Sequence, residues 1–247
     1  VLDLLANLAF EYKDWETSIV YAEKAVKFEP TAKRHFLLGG VAGFRALEVS
    51  MFSSLKYINI MKPAFEEAAR RDPANVIYLR AQVDVLVALP TLLGGNLDEA
   101  YKITSKIKYI DPLEGLLAEG SIYEQTKDFS SAYKTYHKVF EFLEMTYPRC
   151  SALFIDYLKT SRRDLAYDLG RIAADYNLNP VWGQCALSHF EETYRLRDTV
   201  PIAWIYFQSA RLAKHTQDIN KMKHYIEKSL SSGEAYPELK NQIKKLQ

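Results

Sequence analysis

One pattern recurs six times along this chain and constrains its fold more than any other feature. The segments are KDWETSIVYAEKAVKFEP at 13–30, SSLKYINIMKPAFEEAARRDP at 53–73, GNLDEAYKITSKIKYIDP at 95–112, KDFSSAYKTYHKVFEFLE at 127–144, RRDLAYDLGRIAADYNLNP at 162–180 and TQDINKMKHYIEKSLSSG at 216–233. Each opens on polar turn residues, carries a small or apolar residue about four positions in, and then places apolar residues at i+4 and i+7. That is the 3.6-residue period of an amphipathic helix with one buried face. A second helical stretch of similar length, usually richer in apolar residues, precedes each segment. The pattern therefore predicts a succession of paired amphipathic helices.

Charge and composition narrow the function classes. The 247 residues carry a net charge of +1, which creates no bulk field favouring nucleic acid or an anionic membrane surface. No apolar run approaches the ~18 residues that a membrane span needs. Tyr occurs 17 times against 10 Gly and 9 Pro, a helix-compatible balance with many amphipathic rings for packing or for lining a groove. Two cysteines, Cys150 and Cys185, make neither a disulfide framework nor a zinc site. They are expected as half-buried thiols, with a single bridge between them left open. The first residue is Val1, so cytoplasm and a periplasmic or secreted location after removal of a signal both stay open.

The hairpins resemble the tetratricopeptide repeat, whose 34-residue unit follows W-x2-L-G-x2-Y…A-x3-F…P. The closest stretch is 116–139, where Leu116, Gly120, Tyr123, Ala132, Tyr136 and Val139 fall at pattern positions 4, 8, 11, 20, 24 and 27. The first unit offers Leu5, Ala6, Ser18, Ile19, Ala22, Ala25 and Pro30 in register. The resemblance implies an all-α, right-handed α-α superhelix (solenoid) of five to six hairpins, closed by a C-terminal capping helix. Its expected extent is one domain over 1–247, with units at 1–30, 31–73, 74–112, 113–145, 148–180 and 201–233, an irregular helix at 181–200 and the cap at 235–247. Pro30, Pro73 and Pro112 are 43 and 39 residues apart, so the second and third units carry insertions.

The tetrapeptide LLGG occurs at 37–40 and again at 92–95. In the first copy the repeat register places Gly40 at position 8, where two helices approach too closely for a side chain, and Gly39 and Gly43 extend the seam. In the second copy Gly94-Gly95 reads as a turn, with Pro90 ending the helix before it and Asn96 capping the next. Neither copy precedes Lys-Ser or Lys-Thr, and neither follows a strand, so no phosphate-binding loop is expected.

No catalytic constellation stands out. The five histidines are scattered and make no HExxH or i,i+4 pair; His137 and His189 are expected on helix surfaces. Glu66-Glu67 and Glu191-Glu192 occupy adjacent helical positions that point about 100° apart. The expectation is therefore a protein that is not an enzyme, with no cofactor and no metal.

In the repeat family the first helices of successive units line a concave face, at positions 2, 5, 9 and 12 or 13. The resemblance thereby nominates Asn7, Phe10, Arg34, Phe44, Arg45, Arg80, Asp84, Ser121, Glu124, Trp204 and Arg211 as binding residues. Arg34, Arg45 and Arg80 are the strongest of these, because Arg is seldom buried unpaired and three of them suit an anionic group. The carboxylate clamp of chaperone-adaptor tetratricopeptide domains is missing: Asp3, Leu38, Ile77 and Ala81 stand where it needs Lys, Asn, Lys and Arg. The implied function is a scaffold that binds a protein or peptide, with self-association open and no nucleic-acid partner. A second reading comes from the "LP…LGG…A" run at 89–100, which resembles bacterial periplasmic tetratricopeptide lipoproteins of transport systems. That resemblance implies an oligomer holding a small ligand. A helical-repeat nucleic-acid binder would need a basic face with stacking aromatics, and the basic runs TSRRDLAYDLGR and KNQIKKL are far apart and, in the first, mixed with acids.

Overall fold

The computed structural model describes residues 1–195, 198–233 and 236–246. Among them the regular structure is helical, with no strand. The chain divides into two compact units, Val1–Ala132 and Tyr133–Gln247, and the boundary falls inside helix α8 (Phe129–Thr146).

In the first unit, helices pair in chain order. α1 (Leu2–Glu11) packs on α2 (Trp15–Phe28), α3 (Ala32–Glu48) on α4 (Met51–Arg71), and α5 (Val76–Ala88) on α6 (Leu97–Ile110). Each second helix also meets the next first helix, and α7 (Pro112–Gln125) packs on both α6 and α5. Polar caps start α2 to α7. Asp14, Asn96 and Asp111 accept the backbone N–H groups of Thr17, Glu99 and Glu114 at 3.2, 3.1 and 3.0 Å, each cap contributing about 1 kcal/mol.

The tight turn inside a hairpin has a repeated geometry. Lys13 is left-handed (φ 57°); its N–H donates to the Phe10 carbonyl at 2.9 Å, and the Asp14 N–H reaches back to Ala9 at 2.9 Å. Lys127 and Asp128 repeat both bonds, at 3.0 and 2.9 Å, and so do Gln217 and Asp218 in the second unit, at 3.0 and 2.9 Å. A left-handed residue that stops one helix is thus followed at once by an Asp that starts the next.

The long stretches between Pro30, Pro73 and Pro112 are filled in two ways. α3 and α4 run to 17 and 21 residues, against 10 and 14 in the first hairpin. Their crossing corrects the expected role of the first glycine run. A Cβ on Gly39 would lie 2.7 Å from Phe65 Cδ1 and one on Gly43 would lie 3.2 Å from Met61 Sδ, but one on Gly40 would meet nothing within 4 Å. Gly39 is the close-approach residue, one position before the one the repeat register selects. Between α5 and α6 the chain forms a 3-10 turn at Thr91–Leu93, ended by left-handed Gly94 (φ 89°). A Cβ on Gly95 would fall 1.8 Å from the Leu89 carbonyl oxygen.

The second unit holds α9 (Ala152–Thr160), α10 (Leu165–Tyr176), α11 (Pro180–Glu192), α12 (Ile202–His215), α13 (Ile219–Ser231) and α14 (Pro237–Leu246). A hairpin over 148–180 would pair α9 with α10. The close pairing is instead α10 with α11, and α12 packs on both of them and on α13. The helix expected within 181–200 thereby begins one residue earlier, at Pro180, and packs as the partner of α10 in a hairpin. Glycine explains the approach: a Cβ on Gly170 would lie 2.3 Å from Leu187 Cγ, and one on Gly183 would lie 2.5 Å from Ala173 Cβ. Left-handed Asn177 (φ 51°) ends α10, and Pro180 opens α11 at a position where its missing N–H costs nothing. α14 inserts Leu239 and Ile243 beside Phe207, Met222 and Ile226; the ends of the expected cap, Ala235 and Gln247, lie outside the described residues.

Candidate functional site

The three arginines expected to face a ligand are held by the protein's own carboxylates. Arg34 donates from Nε and Nη2 to Asp3, both at 2.8 Å, and from Nη1 to Glu29 at 2.8 Å. The Arg34 bond holds the Asp3 carboxyl below its ordinary range. Arg45 Nε donates to Glu16 at 3.2 Å, and Glu16 also accepts from the Tyr57 hydroxyl; these bonds, Tyr57 first, pull the Glu16 carboxyl down. Arg80 is buried, 8% exposed, with Asp84 at 3.8 Å and the buried Glu114 at 4.0 Å. Its Nη1 is buried with no hydrogen-bond partner, so Arg80 lies inside the fold and is not displayed on the surface.

The remaining nominated residues are distributed among packing and solvent. Phe10 and Phe44 form an aromatic cluster with Trp15, at centroid separations of 5.3 to 5.5 Å. Asn7 is exposed and donates to the Asp3 carbonyl at 2.7 Å. Ser121 accepts from Gln125 at 3.3 Å, and Glu124 is half-buried on the same helix. In the second unit Trp204 packs edge-on against Phe207 at 5.9 Å. Arg211 is tied to Asp175 and, at 3.0 Å, to Gln208. His137 is exposed, with Nδ1 3.3 Å from Glu141. His189 is buried, contrary to the surface position expected, and burial lowers its pKa.

α4, α5 and α6 enclose a groove of about 640 Å³, within the size range of ligand sites. Phe65 and Ala69 of α4, Leu79, Val85 and Leu86 of α5, and Ile103 of α6 give it an apolar floor, and Gln82 supplies an amide there. Lys62 and Arg70 rim one wall and Lys102 and Lys106 the other, four cations against the two carboxylates Glu66 and Glu99. The rim pairs are loose: Lys62 lies 3.6 Å from Glu66 and Lys102 3.4 Å from Glu99. Exposed helix pairs of this kind are worth about 0.3–0.5 kcal/mol. Lys106 is exposed and has no ion-pair partner among the described residues. Arg70 is the exception, bonded through two nitrogens to Glu67 at 2.7 Å; Arg70 and then Arg71 pull the Glu67 carboxyl down to about 2.

Scanning first helices alone misses this groove, because its cations sit on the second helices. The signal is nevertheless in the chain: Lys62, Glu66 and Arg70 are spaced i, i+4, i+8, and Glu99, Lys102 and Lys106 are spaced i, i+3, i+7, each a single stripe on its helix.

A smaller pocket of about 350 Å³ lies within the second unit, walled by Pro180, Val181, Leu212 and Ala213 and carrying both cysteines. Among the described residues no cluster of three His, Cys, Asp or Glu side chains is placed to hold a metal ion, and no helix is long and apolar enough to cross a membrane. In comparisons with known proteins, no family profile and no curated protein matches this chain.

Proposed function

We propose that the chain is a non-catalytic scaffold of tetratricopeptide-like hairpins, arranged as a right-handed α-α solenoid, that binds a protein or peptide segment. The observation that carries this reading is the α4–α5–α6 groove, with its apolar floor between rims of loosely paired lysines. The thrice-repeated left-handed residue followed by Asp supports the repeat architecture. The ligand that fits is an extended or helical segment alternating apolar side chains, which the floor desolvates, with carboxylates, which replace weak intrahelical pairs at the rim.

The test titrates the full chain with a fluorescent peptide of alternating Leu and Glu, and with its Lys counterpart. Binding of the acidic peptide alone, weakened about tenfold by Lys102→Glu with Lys106→Glu, is the expected result; such a loss corresponds to about 1.4 kcal/mol. Equal affinity for both peptides, or an unchanged affinity in the double variant, removes the groove from the account.

The pocket of the second unit favours a second reading, in which the chain serves a transport system as an oligomer and holds a small apolar ligand there. Native mass spectrometry distinguishes the two: a co-purified small molecule and a defined oligomer support the second.

A further inference from the structure

Two sulfur atoms in the second unit play no part in the peptide-binding reading. Cys150 lies in the connection between α8 and α9, exposed, with left-handed backbone (φ 52°), a conformation few residues other than glycine adopt. Cys185 lies half-buried on α11. They are the chain's only two cysteines, 35 positions apart in sequence, and they line the same apolar pocket. The Cys150 side chain meets the Cys185 thiol there; burial first, and then that contact, push the Cys185 thiol up to about 12. The pair is thus asymmetric. One thiol is open to reagents in solution, and the other is shielded from them but not from its neighbour.

We infer that Cys150 and Cys185 are a reversible dithiol–disulfide pair, oxidised by small-molecule disulfides of the glutathione type, that fastens the α8–α9 connection to α11. Cys150 reacts first, because it is the exposed member. Its thiolate attacks one sulfur of the small disulfide, forming a mixed disulfide and releasing one small thiolate, which takes up the proton Cys150 gave to solvent. Cys185 then loses its proton and attacks the Cys150 sulfur. The mixed bond breaks, and the second small thiolate leaves and is protonated. Two electrons pass from the protein's thiols to the small disulfide, and excess small thiol reverses both steps. The second exchange is intramolecular and proceeds when the shielded thiol ionises beside the Cys150 sulfur.

The experiment incubates the reduced full chain with oxidised glutathione, quenches with acid, and follows intact mass and denatured thiol content. The expected course is a transient single glutathione adduct, then a monomer two hydrogens lighter than the reduced chain, with free thiols falling from two to none. Cys185→Ser stops at the adduct. Cys150→Ser, a change at an exposed position, forms none. Two results overturn the inference: a wild-type adduct that persists without closing, and disulfides that join separate chains on a non-reducing gel. Failure of the peptide titration leaves this outcome untouched, since the groove and the cysteines belong to different units.

Discussion

Two sets of cations in the first unit look alike as residue types and do opposite work. Arg34, Arg45 and Arg80 are drawn into the fold: each is within reach of two carboxylates on its own or a neighbouring helix. Lys62, Lys102 and Lys106 stand on the groove rim with weak partners or none. The difference follows from side-chain chemistry. A guanidinium offers a planar fork of donors that two carboxylates and several carbonyls can satisfy together, as Arg34 shows with Asp3, Glu29 and Ala25. An ammonium on a flexible stem stays hydrated and exchanges partners readily. Arginine at a nominated binding position is therefore weaker evidence for a ligand than lysine beside an apolar floor.

Substitutions break or sharpen this contrast. The largest expected effect is at Arg80. Arg80→Met removes the guanidinium beside the buried Glu114, so stability in urea falls by about 3 kcal/mol and peptide affinity stays unchanged. The rim behaves inversely: Lys102→Glu with Lys106→Glu weakens the acidic peptide about tenfold, yet moves the urea midpoint little, because exposed charges away from packed features change stability by about 0.5 kcal/mol or less. Gly40→Ala comes next. With open space around it in the interior of α3, the change stabilises by about 0.5–1 kcal/mol, whereas the same change at Gly95 destabilises because its Cβ has no room. A thermal melt of the two variants settles their signs.

The smallest effect concerns acid. Glu67 titrates near 2 in the folded chain, below its usual 4.5. A depressed carboxyl contributes stability that is fully present above about pH 4.5 and is lost as pH falls toward 2. Glu67→Gln should therefore make the acid limb of the stability curve shallower across that window. A carboxyl resonance of Glu67 with a midpoint near 4.5 contradicts the Arg70 pairing.

Much of the helical architecture was legible because it rests on local chemistry. Periodicity marks the helices, and the pairs Lys13-Asp14, Lys127-Asp128 and Gln217-Asp218 mark turns inside hairpins. Asn96 and Gly94 act as the second LLGG copy implies. What escaped depends on contacts between helices. Gly39 and Gly40 are equivalent as letters, and only the position of Phe65 decides which one needs to be glycine. In the sequence Pro180 marks the end of a hairpin, whereas the closeness of Gly170 to Leu187 and of Gly183 to Ala173 makes it the first residue of a helix packed on α10. The nominated binding residues assumed that first helices carry the ligand surface. Of these, Arg34, Arg45, Arg80 and Arg211 found carboxylates, and Phe10 and Phe44 found Trp15.

The central claim is that the groove between α4 and α6 takes the ligand. Hydrogen exchange on the full chain, with and without the acidic Leu–Glu peptide, tests it most directly. The account predicts slowed exchange confined to 62–70 and 99–106 with the facing turns of α5. Slowed exchange along α1, α3 and α7 around Asn7, Arg34 and Ser121, or no change at saturating peptide, contradicts it.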